Sequence, residues 1–277
     1  MNKSYLIMGI LNVTPDSFSD GGLYLDVNSA LAHGRRLIDE GADVIDVGGE
    51  STRPGASPIS IQTEIDRVIP VIRALSKLNI PLSIDTRHFE VADAAVKAGA
   101  SIINDVSGGI DIRMAELVAE KNLTICLMHM KGDPTTMQFS PHYEGGVMSE
   151  VKDFLSDRVR AFLEFGISPD KIWIDPGIGF GKDLNHNLSL LHQLEELKGI
   201  AGRILIGTSR KSFLAKIIGD KDALMTERVE PTIATNLWAY QKGASVFRVH
   251  DVSPLKRALL TWDRIQTHEE NSSCTRE

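Results

Sequence analysis

Short apolar runs that recur along the whole chain constrain its fold more than any other feature. Each run is rich in β-branched residues, shows no alternation of apolar and polar positions, and is separated from the next by a longer amphipathic stretch. Strands of this kind are typical of parallel sheets that are buried on both faces. The runs that we predict as strands are Tyr5–Leu11, Val44–Val47, Leu82–Ile84, Ile102–Ile103, Thr124–Met128, Ile172–Ile174, Ile204–Ile206 and Val246–Val249.

The stretches between these runs have the apolar spacing of helices. A glycine, the usual residue just past the end of a helix, follows several of them, at Gly41, Gly99, Gly166 and Gly243. Eight strand–helix units in a chain of 277 residues predict an α/β fold, the (β/α)8 TIM barrel, as a single domain. Spacing alone also allows an open, doubly wound sheet. We place the barrel in residues 1–267 and a polar tail in residues 268–277.

Composition and charge exclude several functional classes. The formal net charge of −7 argues against general nucleic-acid binding, which needs a basic face. No apolar run reaches the roughly 20 residues that span a bilayer, and no basic and apolar leader opens the sequence. The two cysteines, Cys126 in an apolar run and Cys274 in the polar tail, do not suggest a disulfide framework. We therefore expect a cytoplasmic protein without nucleic-acid or membrane partners.

Polar residues follow the predicted strands at their carboxyl ends, where a TIM barrel holds its active site. Asp85, Asn104 and Asp175 follow the third, fourth and sixth runs. Their oxygens suit a flat heterocycle with several N–H donors, because one carboxylate can accept two parallel hydrogen bonds. The sequence therefore predicts a cluster of hydrogen-bond acceptors at this end of the barrel.

Cations follow other strands at the same end. Lys211 follows the seventh run, Arg248 and His250 lie in and just beyond the eighth, and Arg53 is a further candidate after the second. Arg248 and His250 are two residues apart, so their side chains project from one face of the strand. Such cations suit phosphate or carboxylate oxygens. Together with the acceptors, they predict a heterocyclic substrate that carries an anionic leaving group.

Eight motifs along the chain carry a resemblance to a known family. In order, they are GILNVTPDSFSDGG, GGESTRPGA, SIDT, INDVSGG, LMHMKGDPTTMQ, IDPGIGFGK, GTSRKSF and FRVHD. From about Leu6 to Val252 the chain resembles the dihydropteroate synthases. The resemblance implies a single-domain TIM barrel, usually a homodimer, that acts as a transferase in folate biosynthesis and is a target of sulfonamides. Such an enzyme joins 6-hydroxymethyl-7,8-dihydropterin pyrophosphate to p-aminobenzoate in a dissociative substitution, and releases pyrophosphate and 7,8-dihydropteroate.

The resemblance also implies roles for the residues at matching positions. The residues expected to hold the pterin are Asp85, Asn104, Met128, Asp175 and Lys211. Those expected to line the p-aminobenzoate site are Thr52, Arg53, Pro54, Phe180 and Ser212. The pyrophosphate is expected on Asn12, Arg248 and His250, with Asn12 also binding Mg²⁺ and Asp20 closing the site. The expected catalytic residues are Asn12, Asp20, Lys211, Arg248 and His250.

Two other functions remain compatible with the sequence. A methyltetrahydrofolate:corrinoid methyltransferase shares the pterin-binding barrel, although it needs neither the STRPG motif nor the anion site of Lys211 and Arg248. A catalytically silent pterin-binding protein would keep the same residues. The glycine-rich stretch Gly177–Lys182 lacks the spacing of a phosphate-binding loop, so we predict a turn at the barrel rim.

Several residues near the motifs are predicted to support the structure instead of binding a ligand. Asp105 should point toward the helices, Glu50 should organise the loop after the second strand, and Arg210 should be a scaffold or solvent-facing charge. His129 is left outside the predicted site. Pro231 is expected just before a helix from about Thr232 to Lys242, and proline at a first helical position is compatible with helix entry.

Overall fold

The computed structural model describes residues 4–14, 27–51, 57–133 and 136–273. Its eight strands form a closed parallel barrel in which each strand pairs with the next and the last pairs with the first. This confirms the TIM barrel and all eight predicted strands, and closure excludes the open sheet. The strands are β1 (Leu6–Asn12), β2 (Val44–Gly48), β3 (Leu82–Asp85), β4 (Ile102–Asp105), β5 (Thr124–Met128), β6 (Ile172–Asp175), β7 (Arg203–Ile206) and β8 (Val246–Val249).

Helices connect the strands and surround the barrel. None of the helices in the described ranges is long and apolar enough to cross a membrane. All four predicted helix-ending glycines have positive φ, and the Gly99 amide (φ 122°) donates back to the Val96 carbonyl. The helices are α1 (Val27–Glu40), α2 (Ile61–Leu75), α3 (Phe89–Ala98), α4 (Arg113–Lys121), α5 (Val147–Leu163), α6 (Leu184–His192), α7 (Ser212–Ile217), α8 (Val229–Gln241) and α9 (Val252–Ser273).

Two helix boundaries differ from the prediction. Helix α8 begins at Val229, so Pro231 lies within its first turn and not at its first position. The missing N–H of proline costs no bond there, because the first four amides of a helix have no intrahelical acceptor. Helix α9 continues to Ser273, past the boundary we placed after residue 267, since no glycine or proline interrupts it after Pro254. The division into a barrel and a tail stays a prediction.

Alternation along the strands divides the barrel interior into an apolar floor and a polar mouth. Side chains at every second strand position point inward, and the others pack against the helices. The floor is a separate apolar cluster made of Met8, Val44, Ile102, Cys126, Trp173, Leu205 and Val246. The mouth begins at the next inward position of each strand, two residues beyond the floor residue; on β3 this level is held by the residue that pairs with Asn104. The side chains at this level are Asp46, Asp85, Asn104, Met128, Asp175 and Arg248. The predicted polar residues therefore meet because the strand period is two.

Candidate active site

Arg248 lies at the centre of the mouth, paired with two buried carboxylates. Its Nε is 2.6 Å from Asp46 Oδ2, its Nη2 is 2.5 Å from Asp85 Oδ2, and its side chain is 20% exposed. Burial by itself would lower the pKa of the guanidinium, but Asp85 and Asp46 outweigh burial and raise it. Arg248 is therefore a permanent cation, held in place by carboxylates on two neighbouring strands, β2 and β3.

Asp46 belongs to this site and was missed by the sequence analysis. It is fully buried on β2, and its Oδ2 also accepts a hydrogen bond of 3.2 Å from the amide of Asn104. The available signal was a lone carboxylate inside an apolar run, where a buried charge requires a partner. Oδ1 of Asp46 and Oδ1 of Asp85 are buried, and neither has a hydrogen-bond partner among the described residues. The cluster thus keeps acceptor capacity.

Asp85 changes charge near neutral pH. Burial raises the pKa of its carboxyl to about 7, Arg248 acts against this rise, and the neighbouring Asp46 carboxylate adds to it. Two carboxylates that share one guanidinium are coupled, because the second negative charge is only partly compensated. Burial and Asp46 thus favour the neutral carboxyl of Asp85, whereas Arg248 favours its carboxylate.

Asp175 and Lys211 are two further groups of opposite charge at the mouth, on neighbouring strand ends. Oδ1 of Asp175 accepts a 2.7 Å hydrogen bond from the Gly177 amide. Burial raises the pKa of Asp175, and Lys211 is the strongest of the groups that oppose the rise. Burial lowers the pKa of Lys211 to about 8, with Asp175 opposing. The Lys211 ammonium donates to the Ile178 carbonyl and lies 4.6 Å from the centre of the Phe180 ring.

Asn12 and Met128 complete the inward-facing set. Asn12 ends β1 and pairs with Gly48 on β2. A Cβ atom added to Gly48 would lie 3.7 Å from the Asn12 side-chain oxygen and 3.5 Å from Asp85 Cβ. Gly48 therefore leaves room between the amide and the carboxylate. Met128 is buried at the end of β5, beside Asp175 in the strand register. Both residues stand where the sequence predicted them.

His250 and Arg210 have different surroundings at the β8 end. Nδ1 of His250 is 3.0 Å from Ser209 Oγ, which also accepts a 3.1 Å hydrogen bond from the His250 amide. Ser209 thus orients the imidazole and was missed by the sequence analysis. Arg210 makes two hydrogen bonds with the Asp251 carboxylate, of 2.9 and 2.6 Å, which confirms its predicted scaffold role.

Asp105 and Glu50 also support the structure as predicted. The carboxylate of Asp105 accepts from the amide and hydroxyl of Ser107 and from the Gly109 amide, at 2.7, 2.6 and 2.9 Å. Glu50 accepts a 3.3 Å hydrogen bond from the Ile59 amide and thereby spans the loop after β2. Both residues fix loops at the rim.

A group of ionisable side chains lies behind this loop. Glu50, Glu64 and His88 are near enough to one another to share an ion. Arg87 Nε is 3.3 Å from Glu50 Oε2 and already balances that carboxylate, while His88 Nδ1 is 2.8 Å from Glu64 Oε2. We therefore assign the group to holding the loop and the start of α3 together.

Part of the predicted site lies outside the described residues: Asp20, Thr52, Arg53 and Pro54. Phe180 and Ser212 are described, and both lie beside Lys211, Phe180 through its ring and Ser212 as the first residue of α7. The described mouth combines acceptor oxygens on the inner wall with cations that differ in pKa. This arrangement can bind a polar heterocycle against the inner wall of the mouth and an anion at its rim.

Comparisons with known proteins agree with this architecture. The chain matches the family model of pterin binding enzymes over residues 8–250. It is 45% identical over 254 residues to the dihydropteroate synthase of Bacillus subtilis, covering 91% of this chain and 85% of that protein. A solved structure of Xanthomonas albilineans dihydropteroate synthase with 4-aminobenzoic acid has a TM-score of 0.88 and 44% identity, covering 95% and 93% of the two chains. Another structure of that enzyme, with 7,8-dihydropteroate, has a TM-score of 0.84 and 41% identity, covering 95% and 94%. The chain therefore belongs to the dihydropteroate synthase family.

Proposed function

We propose that the chain joins 6-hydroxymethyl-7,8-dihydropterin pyrophosphate to p-aminobenzoate, giving 7,8-dihydropteroate and pyrophosphate. One observation carries the proposal: buried carboxylates and cations share a single barrel mouth, with Asp85 and Asp175 as the carboxylates and Lys211 and Arg248 as the cations. The Xanthomonas albilineans relative binds 4-aminobenzoic acid and 7,8-dihydropteroate, which supports the same ligands here.

Pterin binding would use the inner wall of the mouth. Asp85, Asn104 and Asp175 would accept hydrogen bonds from the amino and ring N–H groups, and Lys211 would donate to the ring carbonyl and a ring nitrogen. Met128 would pack against the flat face of the ring. Because these groups are buried, a ligand that leaves one of them without a hydrogen bond would lose binding free energy equal to the desolvation cost of that group. The site therefore selects for a ring with matching donors and acceptors.

Bond breaking would occur at the rim, beside Arg248 and His250. The C–O bond between the pterin methylene and pyrophosphate breaks, and its electron pair leaves with the pyrophosphate oxygen. The permanent charge of Arg248 stabilises the negative charge that grows there. The ring nitrogens delocalise the methylene cation, the aryl amine supplies the electron pair for the new C–N bond, and its proton leaves to solvent. The amine is weakly basic, so no strong general base is required.

Mg²⁺ fits the part of the site around Asn12. The ion prefers oxygen ligands and commonly takes one or two protein groups together with substrate phosphates. Asn12 offers an amide oxygen at the end of β1, on the same rim as Arg248. Asn12 would hold the ion, and Asp20, which lies outside the described residues, would help to close the site over it. When bound, Mg²⁺ would supply positive charge to the departing pyrophosphate.

Product analysis with the purified protein tests this function. The protein is mixed with the pterin pyrophosphate and p-aminobenzoate, with Mg²⁺ or with a chelator, and dihydropteroate and pyrophosphate are followed together. We expect equal amounts of both products, formed only with the metal. Pterin binding without either product would identify a silent pterin-binding protein. Product formation unaffected by the chelator would remove the metal from the proposal.

The lowered pKa of Lys211 predicts that activity falls above neutral pH. Its pKa is about 8 because burial and Arg248 disfavour the charge, while Asp175 and Asp85 favour it. The cationic donor is therefore lost as pH rises through about 8, and kcat/KM for the pterin substrate should fall about tenfold per pH unit above it. The check is a rate profile from about pH 6 to about pH 10 with p-aminobenzoate saturating. Lys211→Arg should abolish this alkaline limb, and a wild-type profile that stays flat would contradict the assignment.

Sulfonamides are expected to compete with p-aminobenzoate. The described members of its predicted pocket are Phe180 and Ser212, which both lie beside Lys211, and an aryl ring bound there would contact them. A sulfonamide with a free aryl amine should raise the apparent KM for p-aminobenzoate and leave kcat unchanged. Benzenesulfonamide, which lacks this amine, is the matched control and should inhibit much more weakly. A lowered kcat at constant KM would reject this placement of the pocket.

A further inference from the structure

The loop between β6 and α6, residues 177–181, is held by side chains from several other elements. Every carbonyl from Ile178 to Gly181 accepts a hydrogen bond from a side chain. The donors, in that order, are Lys211 Nζ, Gln138 Nε2, Lys182 Nζ and Tyr143 Oη. Such complete pairing of an irregular segment is a strong constraint on its position, because each lost donor would leave a carbonyl unpaired.

The loop also lies in close contact with the segment that follows β5. Gly177 has a φ of 70°, and a Cβ atom there would stand 1.9 Å from the His129 carbonyl oxygen. Gly181 has a φ of 66°, and its Cβ atom would stand 2.3 Å from the Lys131 carbonyl oxygen. Only glycine allows both the left-handed backbone and this approach. The loop is thus fitted against the end of β5.

Lys182 is the link between these two segments. Its side chain is almost fully buried, and its ammonium lies 2.9 Å from the Phe180 carbonyl oxygen, 3.0 Å from His129 Nδ1 and 3.4 Å from the His129 carbonyl oxygen. An ammonium has three N–H donors, and these three acceptors match them. None of the three is a carboxylate. A buried ammonium that bonds only to neutral acceptors is expensive, so apolar packing alone does not account for it.

The pKa values of His129 and Lys182 are both lowered by burial, and Lys182 keeps N–H donors in either protonation state. Burial, together with the Lys182 charge, lowers the pKa of His129 to about 3, so its Nδ1 accepts a hydrogen bond at neutral pH. Burial lowers the pKa of Lys182 to about 7, while Asp175 acts to raise it. The aromatic rings of Phe154 and Tyr143 lie 5.1 and 6.2 Å from the imidazole and fix its plane.

We propose that Lys182 is the positioning residue for p-aminobenzoate: it fixes residues 177–181 to the end of β5 and thereby sets the Phe180 ring beside the Lys211 ammonium. The inference rests on the proposed function, which supplies the identity of the second substrate. Lys182 donates a hydrogen bond to the backbone carbonyl of Phe180 itself, so the loss of this bond would directly affect the position of the Phe180 ring. The pterin-facing Asp175 keeps its bond to Gly177 and its neighbour Lys211.

Steady-state kinetics of Lys182→Met test this role. The variant keeps the length and apolar stem of the side chain and removes its three donors. We expect the KM for p-aminobenzoate to rise at least about tenfold, with kcat and the KM for the pterin substrate changed by less than about threefold. A purely structural role would instead lower kcat and raise both KM values in parallel with a loss of thermal stability, and that result would overturn the proposal.

Two further variants make the test specific. Lys171→Met is the matched control, because Lys171 also donates to a backbone carbonyl, that of Asn122, but at the amino end of β6. It should leave both KM values unchanged. Tyr143→Phe removes the donor to the Gly181 carbonyl and leaves the charge intact, and it should raise the KM for p-aminobenzoate about threefold. It also serves as the test if Lys182→Met does not fold. An unchanged KM in Tyr143→Phe and in any folded Lys182→Met would overturn the proposal.

Amide hydrogen exchange separates this inference from the proposed function. Wild-type protein that makes no dihydropteroate would refute the function. Even then, Lys182→Met should speed exchange in a peptide covering residues 177–181, whereas Lys171→Met should not. Equal exchange in this peptide for wild type and Lys182→Met would refute the tether itself.

Discussion

Replacing Arg248 with methionine is expected to lower kcat/KM for the pterin pyrophosphate by about a thousandfold or more. The change removes a permanent cation that contacts two carboxylates at the centre of the mouth, Asp46 and Asp85. A charged donor that stabilises a leaving group in a water-poor site contributes about 3–4 kcal/mol to the transition state. The measurement is initial rate against pterin pyrophosphate concentration, with p-aminobenzoate saturating.

The same change should also destabilise the fold, with a particular pH dependence. Without the guanidinium, nothing at this position opposes the rise that burial and Asp46 cause in the folded-state pKa of Asp85, so Asp85 favours protonation in the folded state. A raised folded-state pKa means that stability is lost as pH rises through it. The melting temperature of Arg248→Met should therefore fall further below wild type at pH 8 than at pH 6. If the melting temperature of Arg248→Met lies equally far below that of wild type at both pH values, the buried carboxylates do not explain the loss of stability.

Two control variants separate catalysis from folding. Arg210→Met removes an arginine that pairs with Asp251 at the same rim, and it should leave kcat/KM within about threefold of wild type. Adding Asp46→Asn to Arg248→Met removes one unbalanced carboxylate, so it should restore part of the melting temperature without restoring activity. Recovery of activity in this double variant would assign Arg248 to folding instead of leaving-group stabilisation.

Strand alternation explains how much of this site could be predicted from sequence. Asp85, Asn104 and Asp175 stand at the ends of buried apolar runs, and closure of the barrel brings such ends together whatever lies between them. Asp46 was missed because it lies inside its run, where a polar residue is obscured by its apolar neighbours. Its partner, Arg248, is distant in the sequence, and only the barrel pairs them.

The roles of Lys182 and His129 could not be predicted for a different reason. Both residues border loops, and their contact depends on how residues 177–181 fold back against the end of β5. Loop geometry of this kind depends on several distant side chains at once and leaves no period in the sequence. The start of α8 was likewise placed too late, because the turn Met225–Arg228 continues directly into the helix.

Asp175→Asn is expected to reduce kcat/KM for the pterin substrate about a thousandfold while leaving the fold intact. Oδ1 of Asp175 accepts the Gly177 amide at 2.7 Å. The asparagine oxygen must take this position, since its NH2 group cannot accept, and so the NH2 turns toward the ring. An N–H donor would then face the N–H donors of the pterin in a buried site, which leaves both unpaired.

Binding and stability measurements distinguish this mismatch from a general loss of structure. Calorimetric titration with the pterin pyrophosphate, without p-aminobenzoate, should show affinity lowered about a hundredfold or more. The melting temperature should change little at neutral pH, because the substitution also removes the cost of burying a carboxylate whose pKa burial already raises. Asp251→Asn, the same change at a rim carboxylate that pairs with Arg210, is the control and should bind the pterin normally.

Since Asp175 opposes the lowered pKa of Lys211, the alkaline limb of the residual activity should also move below the wild-type value of about 8. Normal pterin affinity in Asp175→Asn would place the ring elsewhere in the mouth.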